Sequence, residues 1–175
     1  MKTVAFSTYC YRRIIHFPLD LLRFPARLCQ TGFCAIARII CSTEIKRGIR
    51  ILDCNRKTRD TFYETIDSAL ALIERNDPRR FERVRREIRL IVYDRWQVEP
   101  LAPGAYARQP RVCMINLGRI DFSKRPKFTL AILAAMIVHE ATHGYLCRKR
   151  LPYVTCIKER VEAVCRHEET RLLLR

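Results

Sequence analysis

The sequence predicts a mixed α+β domain, mainly helical, with a small β-sheet packed beside one long apolar helix. Three observations carry this expectation. Phe62, Ile66, Ala69, Leu70 and Ile73 recur at helical spacing. Ile88 to Tyr93 and Arg111 to Leu117 are short runs rich in β-branched and apolar residues, which read as strands. Phe128 to Cys147 contains no proline and reads as a single helix. The 175 residues suffice for one domain with a true core.

Residues 1–50 differ from the rest. They carry nine Lys/Arg against Asp20 and Glu44, and four cysteines at Cys10, Cys29, Cys34 and Cys41. Pro18, Pro25 and Gly32 interrupt the apolar stretch from Leu19 to Ile40, so it is not one regular helix. This basic, Cys-rich segment reads as a helical hairpin packed on the core with its arginines pointing outward. The competing reading is an amphipathic surface lying on anionic membrane. Residues 51–175 form the expected main domain.

Within that domain, Thr58 to Asn76 is the first helix. Asp77 caps a second helix, and Pro78 suits its first position. Arg79 to Arg89 holds six arginines. Glu82 with Arg86 and Arg83 with Glu87 are expected to pair at i,i+4, giving a solvated face rather than a nucleic-acid contact. Asp94 to Pro110, with three prolines and Gly104, reads as a loop between the two strands. The second strand is expected either at an edge, where it can hold an extended peptide, or in the interior.

The long helix contains the run Val138-His139-Glu140-Ala141-Thr142-His143-Gly144-Tyr145. Residues four apart on a helix share a face, so His139 and His143 can reach one metal ion. Glu140 is turned by about 100° from His139, beside such an ion rather than on it. Two imidazoles and an adjacent base suit Zn2+ and the deprotonation of its water. The bland alternative is two ordinary histidines on a buried helix. Catalytic zinc sites keep three protein ligands and one open position, so a third ligand is needed. Thr155 can cap a further helix running to about Leu173, with an apolar stripe of Ile157, Val161, Val164 and Leu172. Glu162 falls roughly 140° from Ile157 and Glu159 roughly 200°, which puts Glu162 nearer the buried edge.

Val138 to Tyr145 resembles the active-site helix of zincin metallopeptidases, and more specifically the gluzincin branch. The resemblance covers about residues 111 to 170 and is architectural outside the motif. It is not the metzincin pattern, since Leu146 and Lys149 stand where that pattern has Gly and His. It implies a zincin-like fold, Zn2+ held by His139, His143 and Glu162, Glu140 as general base, and hydrolysis of a peptide or protein substrate. Glu162-Ala163 matches the gluzincin ligand Glu followed by Ala. The chain departs from that branch at Arg166, where many gluzincins have an acidic residue, and Glu169 is the substitute for orienting a histidine. Glu159, Glu169, or a cysteine among Cys147, Cys156 and Cys165 are the rival third ligands. Tyr153 and His167 are the candidate oxyanion donors. Some zincin-like peptidases act on DNA-bound proteins, a substrate class that a basic chain would suit.

The net charge of +16 favours acidic partners, nucleic acid or an anionic membrane surface. This supports an alternative function, a non-catalytic basic module with a structural or vestigial metal site. Nine cysteines without a CxxC pair point to reduced thiols and a cytoplasmic setting, with peripheral membrane attachment through residues 1–50 as the variant. Met1 to Ser7 is too briefly apolar for a secretory signal. No spanning helix is expected, because no 18-residue uncharged apolar run occurs. Nothing in the residues sets the oligomeric state.

Overall fold

Helix formation begins where the apolar spacing demands it. A computed structural model describes residues 43–53, 59–93, 104–107, 111–119, 125–151 and 157–174. Among these residues the fold is α+β, with four α-helices and a five-stranded sheet. The strands are β1 (Thr43–Lys46), β2 (Ile49–Leu52), β3 (Leu90–Tyr93), β4 (Gly104–Ala107) and β5 (Val112–Ile115). The helices are α1 (Arg59–Asn76), α2 (Pro78–Glu87), α3 (Pro126–Arg148) and α4 (Lys158–Leu173). The sheet order is β1-β2-β3-β5-β4. The three central strands run parallel, and β1 and β4 are antiparallel edges.

The sheet decides between the two readings of the second strand and corrects the expected loop and the expected helical segment. Strand β5 is interior, flanked by β3 and β4. The edge is instead β4, inside the stretch expected to be a loop. Its four residues, Gly-Ala-Tyr-Ala, are too short and too weakly apolar for the alternation rule to detect. The expected helical segment 1–50 ends in strand, since Thr43 to Leu52 form a hairpin that joins the sheet through β2. The chain divides into units 1–39 and 40–175, so the main domain starts before residue 51. Residues 1–42, with the membrane or packing role assigned to them, lie outside the described residues. The hairpin turns on Arg47 and Gly48, both at positive φ, the two-residue geometry that matches strand twist. Arg47 is held there by Asp67 at 3.1 Å and by Glu74.

The expected α1 stripe is buried in full, and it packs with Ile49, Ile51, Ile91, Cys113 and Ile115 of the sheet. Asp77 accepts from the Arg80 backbone N–H at 3.1 Å, and Pro78 opens α2, as the residues predict. The i,i+4 pairs expected on α2 do not form. Glu82 pairs with Arg85 at 2.9 Å. Arg83 pairs across to Glu168 of α4 at 2.7 Å, and Arg80 reaches the same carboxylate at 3.3 Å. Glu87 is 1% exposed and is ringed by Arg86 and Arg148, each at 2.9 Å, and Arg111 at 3.6 Å. Arg83 is drawn to the part-buried Glu168, where screening is weaker, while Glu82 keeps a local partner one residue nearer than expected.

Glu168 gives one pH-dependent element. Burial alone would push its carboxyl up, but the Arg83 hydrogen bond and the Arg80 and Arg83 charges outweigh it and hold it below the ordinary value. A carboxyl depressed in the folded state adds stability above its unfolded pKa, and that stability is lost as pH falls through the folded pKa. Glu168→Gln is therefore expected to lower stability at pH 7. The difference from wild type should shrink in acid, as urea unfolding at pH 7 and pH 3 would show.

Helix α3 is buried nearly all round, including Leu133 to Val138, Ala141 and Thr142. A helix apolar on every face belongs in a core. By length and composition it is also the one described helix that could cross a membrane, but 61% of that window is buried within the fold. Its end is a Schellman turn. Leu151 N–H donates to Leu146 O at 3.1 Å, Arg150 N–H donates to Cys147 O at 3.0 Å, and Arg150 has φ 61°.

Candidate metal centre

The site is assembled from two helices. Helix α3 supplies His139, Glu140 and His143, and α4 supplies Glu162, Cys165 and Glu169. The geometric ranking of the two glutamates on α4 holds: Glu162 is half-buried and Glu159 exposed. The stripe that ranked them is corrected at two places. Val164 is 45% exposed, and Cys165 is buried in its stead. Ile157 takes the cap position and is only partly buried. Thr155, Tyr153 and Cys156 lie outside the described residues.

His139 Nε2 and His143 Nε2 are 3.2 Å apart. Glu162 spans them, with Oε2 at 3.4 Å from His139 Nε2 and Oε1 at 3.6 Å from His143 Nε2. These separations can be set against a metal. A tetrahedron with zinc–nitrogen and zinc–oxygen bonds of 2.0–2.1 Å has edges of about 3.3–3.4 Å. The three donor groups thus already stand at coordination spacing, and the residues fit a zinc ion. Three electron-pair donors facing one point also require a proton or a cation among them.

Glu169 Oε2 accepts from the side of His139 Nδ1, at 3.0 Å. That fixes the ring so that Nε2 turns toward Glu162 and His143. Burial lowers the His139 pKa, but the Glu169 hydrogen bond and the charges of Glu140, Glu169 and Glu162 outweigh it, leaving it raised. His143 goes the other way, lowered to about 4 by burial against the pull of Glu162, with His139 and Lys158 adding to the fall. A neutral His143 is the form that can donate a lone pair to a metal. Glu169→Gln is expected to weaken zinc binding by about 10–100-fold while keeping the fold. Competition against a chelating dye reads this directly.

Glu140 is 6% exposed. Its Oε1 lies 3.5 Å from where a Cβ on Gly104 would stand, and that Cβ would meet Met136 Sδ at 2.9 Å. At Gly104 the β4 edge thus lies close against the turn of α3 that carries Met136 and Glu140, and a Cβ there would have to displace the flexible Met136 side chain. A second close approach occurs one turn later. A Cβ on Gly144 would be 2.7 Å from the Tyr106 hydroxyl of β4, which donates to the Glu87 carbonyl at 3.1 Å. Burial pushes the Tyr106 hydroxyl up to about 12, so it stays a donor. Gly104 and Tyr106 are the site-flanking residues to which the sequence assigns no role, whereas Cys165 stands among its rival third ligands. Only the pairing of two glycines with a tyrosine across α3 and β4 could have signalled the first two, and that pairing needs the fold.

His167 and the α4 arginines are not among the converging groups described here. No protein-family model, curated protein or solved structure matches the chain.

Proposed function

We propose that this chain is a zinc-dependent peptidase of gluzincin type, with His139, His143 and Glu162 as ligands and Glu140 as general base. The observation that carries the reading is the set of three donor separations, 3.2, 3.4 and 3.6 Å, contributed by two helices. Zinc in such a site supplies Lewis acidity and a bound water with a pKa of about 7. His139 and His143 bind and orient from successive turns of α3, and Glu169 holds the His139 ring. Glu140, next to His139 and largely sheltered from solvent, takes a proton and returns it to the leaving amine. The β4 edge strand beside Glu140 supports peptide as the substrate class. In zincins an edge strand above the motif helix commonly holds an extended peptide substrate, and β4, the edge on this side of the sheet, can pair with such a chain through its backbone.

The cation surplus of +16 supports an acidic partner, and DNA-bound protein is the leading substrate class within this reading. It equally motivates a second reading, a non-catalytic basic module with a structural metal. Buried thiols at Cys113 and Cys165, outside any disulfide, agree with a cytoplasmic setting. The test is hydrolysis of casein by the purified full chain. Cleavage should stop on chelation and return on adding zinc. A zinc-loaded protein that never cleaves, yet binds DNA or anionic vesicles with a steep salt dependence, would favour the second reading.

A further inference from the structure

We propose that Cys165 is a fourth protein donor to the metal, so that the resting site is closed. This rests on the reading that His139, His143 and Glu162 hold a metal ion, and it adds how that site is regulated. The Cys165 thiol and the two imidazoles all lie within 4.8 Å of one another. Cys165 stands one turn after Glu162 on α4, so the same helix face delivers both groups. It is wholly buried, clustered with Leu146 and Val161. With a zinc–sulfur bond of 2.3 Å, a tetrahedral sulfur–nitrogen edge is about 3.6 Å. The observed separations, within 4.8 Å, bound how far the thiol must shift to reach that edge.

Coordination breaks the S–H bond, forms a sulfur–metal bond and releases one proton to solvent. His139, His143, Glu162 and Cys165 then make four protein donors. Four donors complete a tetrahedron, the arrangement of structural zinc sites, whereas a catalytic site keeps one position open. Sulfur in the fourth position excludes the water that Glu140 would deprotonate. The chain therefore rests mainly in the closed form, and cleavage passes through the smaller open fraction in which the Cys165 sulfur is withdrawn.

The test uses the full chain stripped of metal and loaded with cobalt(II) alone. Wild type is expected to show the d–d bands of a four-coordinate ion together with a near-ultraviolet thiolate-to-cobalt charge-transfer band. Cys165→Ser and Cys165→Ala should lose the charge-transfer band and keep d–d bands, while Cys147→Ser keeps both. Wild-type d–d absorption without the charge-transfer band would overturn the assignment, as would its survival in both Cys165 variants. Absence of all cobalt bands in every protein would instead remove the underlying metal site, and the two failures are thus distinguishable. Zinc-loaded Cys165→Ala should cleave casein faster than wild type. Equal or slower cleavage would overturn the closed resting state.

Discussion

Glu140→Gln is expected to leave zinc content unchanged and to lower cleavage of an accepted protein substrate by about 10²–10⁴-fold, the usual worth of a positioned general base. The reasoning is geometric. Glu140 is adjacent in sequence to a proposed ligand, is largely buried, and its Oε1 lies 3.5 Å from where a Cβ on Gly104 of β4 would stand. An amide keeps the shape and removes the basic oxygen. Metal analysis and a cleavage assay on the same preparation separate the two effects. Retained cleavage at full zinc content would remove Glu140 from its role and leave the base to be sought elsewhere.

His143→Ala and Glu162→Ala should each lose the equivalent of zinc that the wild-type chain carries when purified without added metal. Each substitution removes one donor group from a cluster whose members approach one another at 3.2, 3.4 and 3.6 Å, and a site short of one of these close donors holds zinc weakly. Elemental analysis checks this without any assay of activity. Loss in the histidine variant but not in the glutamate variant would transfer the third corner to Cys165, the other α4 donor near both imidazoles. Loss in neither would end the proposal of a metal centre here.

Much of the site was legible because helices project side chains by a fixed rule. The spacing of His139 and His143, and the angular position of Glu162, needed only 100° per residue. The Asp77-Pro78 helix start and the α1 stripe were legible for the same local reason. What escaped the sequence depends on distant partners. Strand β4 is four residues of Gly, Ala and Tyr, and its identity comes from pairing with β5. The β1-β2 hairpin carries an exposed, polar first strand and turns at Arg47-Gly48 rather than at an Asn-Gly signal. Glu87 looked like a surface partner of Arg83, four residues before it. It is instead sunk among its neighbour Arg86, Arg148 of α3 and Arg111 just before β5. Cys165 is one of three rival cysteine ligands in the sequence, and only the approach of α4 to α3 places its thiol near both histidines.

Helix α4 buries few large apolar groups, chiefly Val161 and Leu172, yet it carries Glu162, Cys165 and Glu169 toward α3 and Glu168 toward Arg80 and Arg83. Its grip on the body of the protein is thus mostly polar, arranged as two clasps on neighbouring turns. An ion seated between the helices would act as a rivet. Stripping it would loosen the C-terminal rod first, while the sheet and its apolar packing stayed whole.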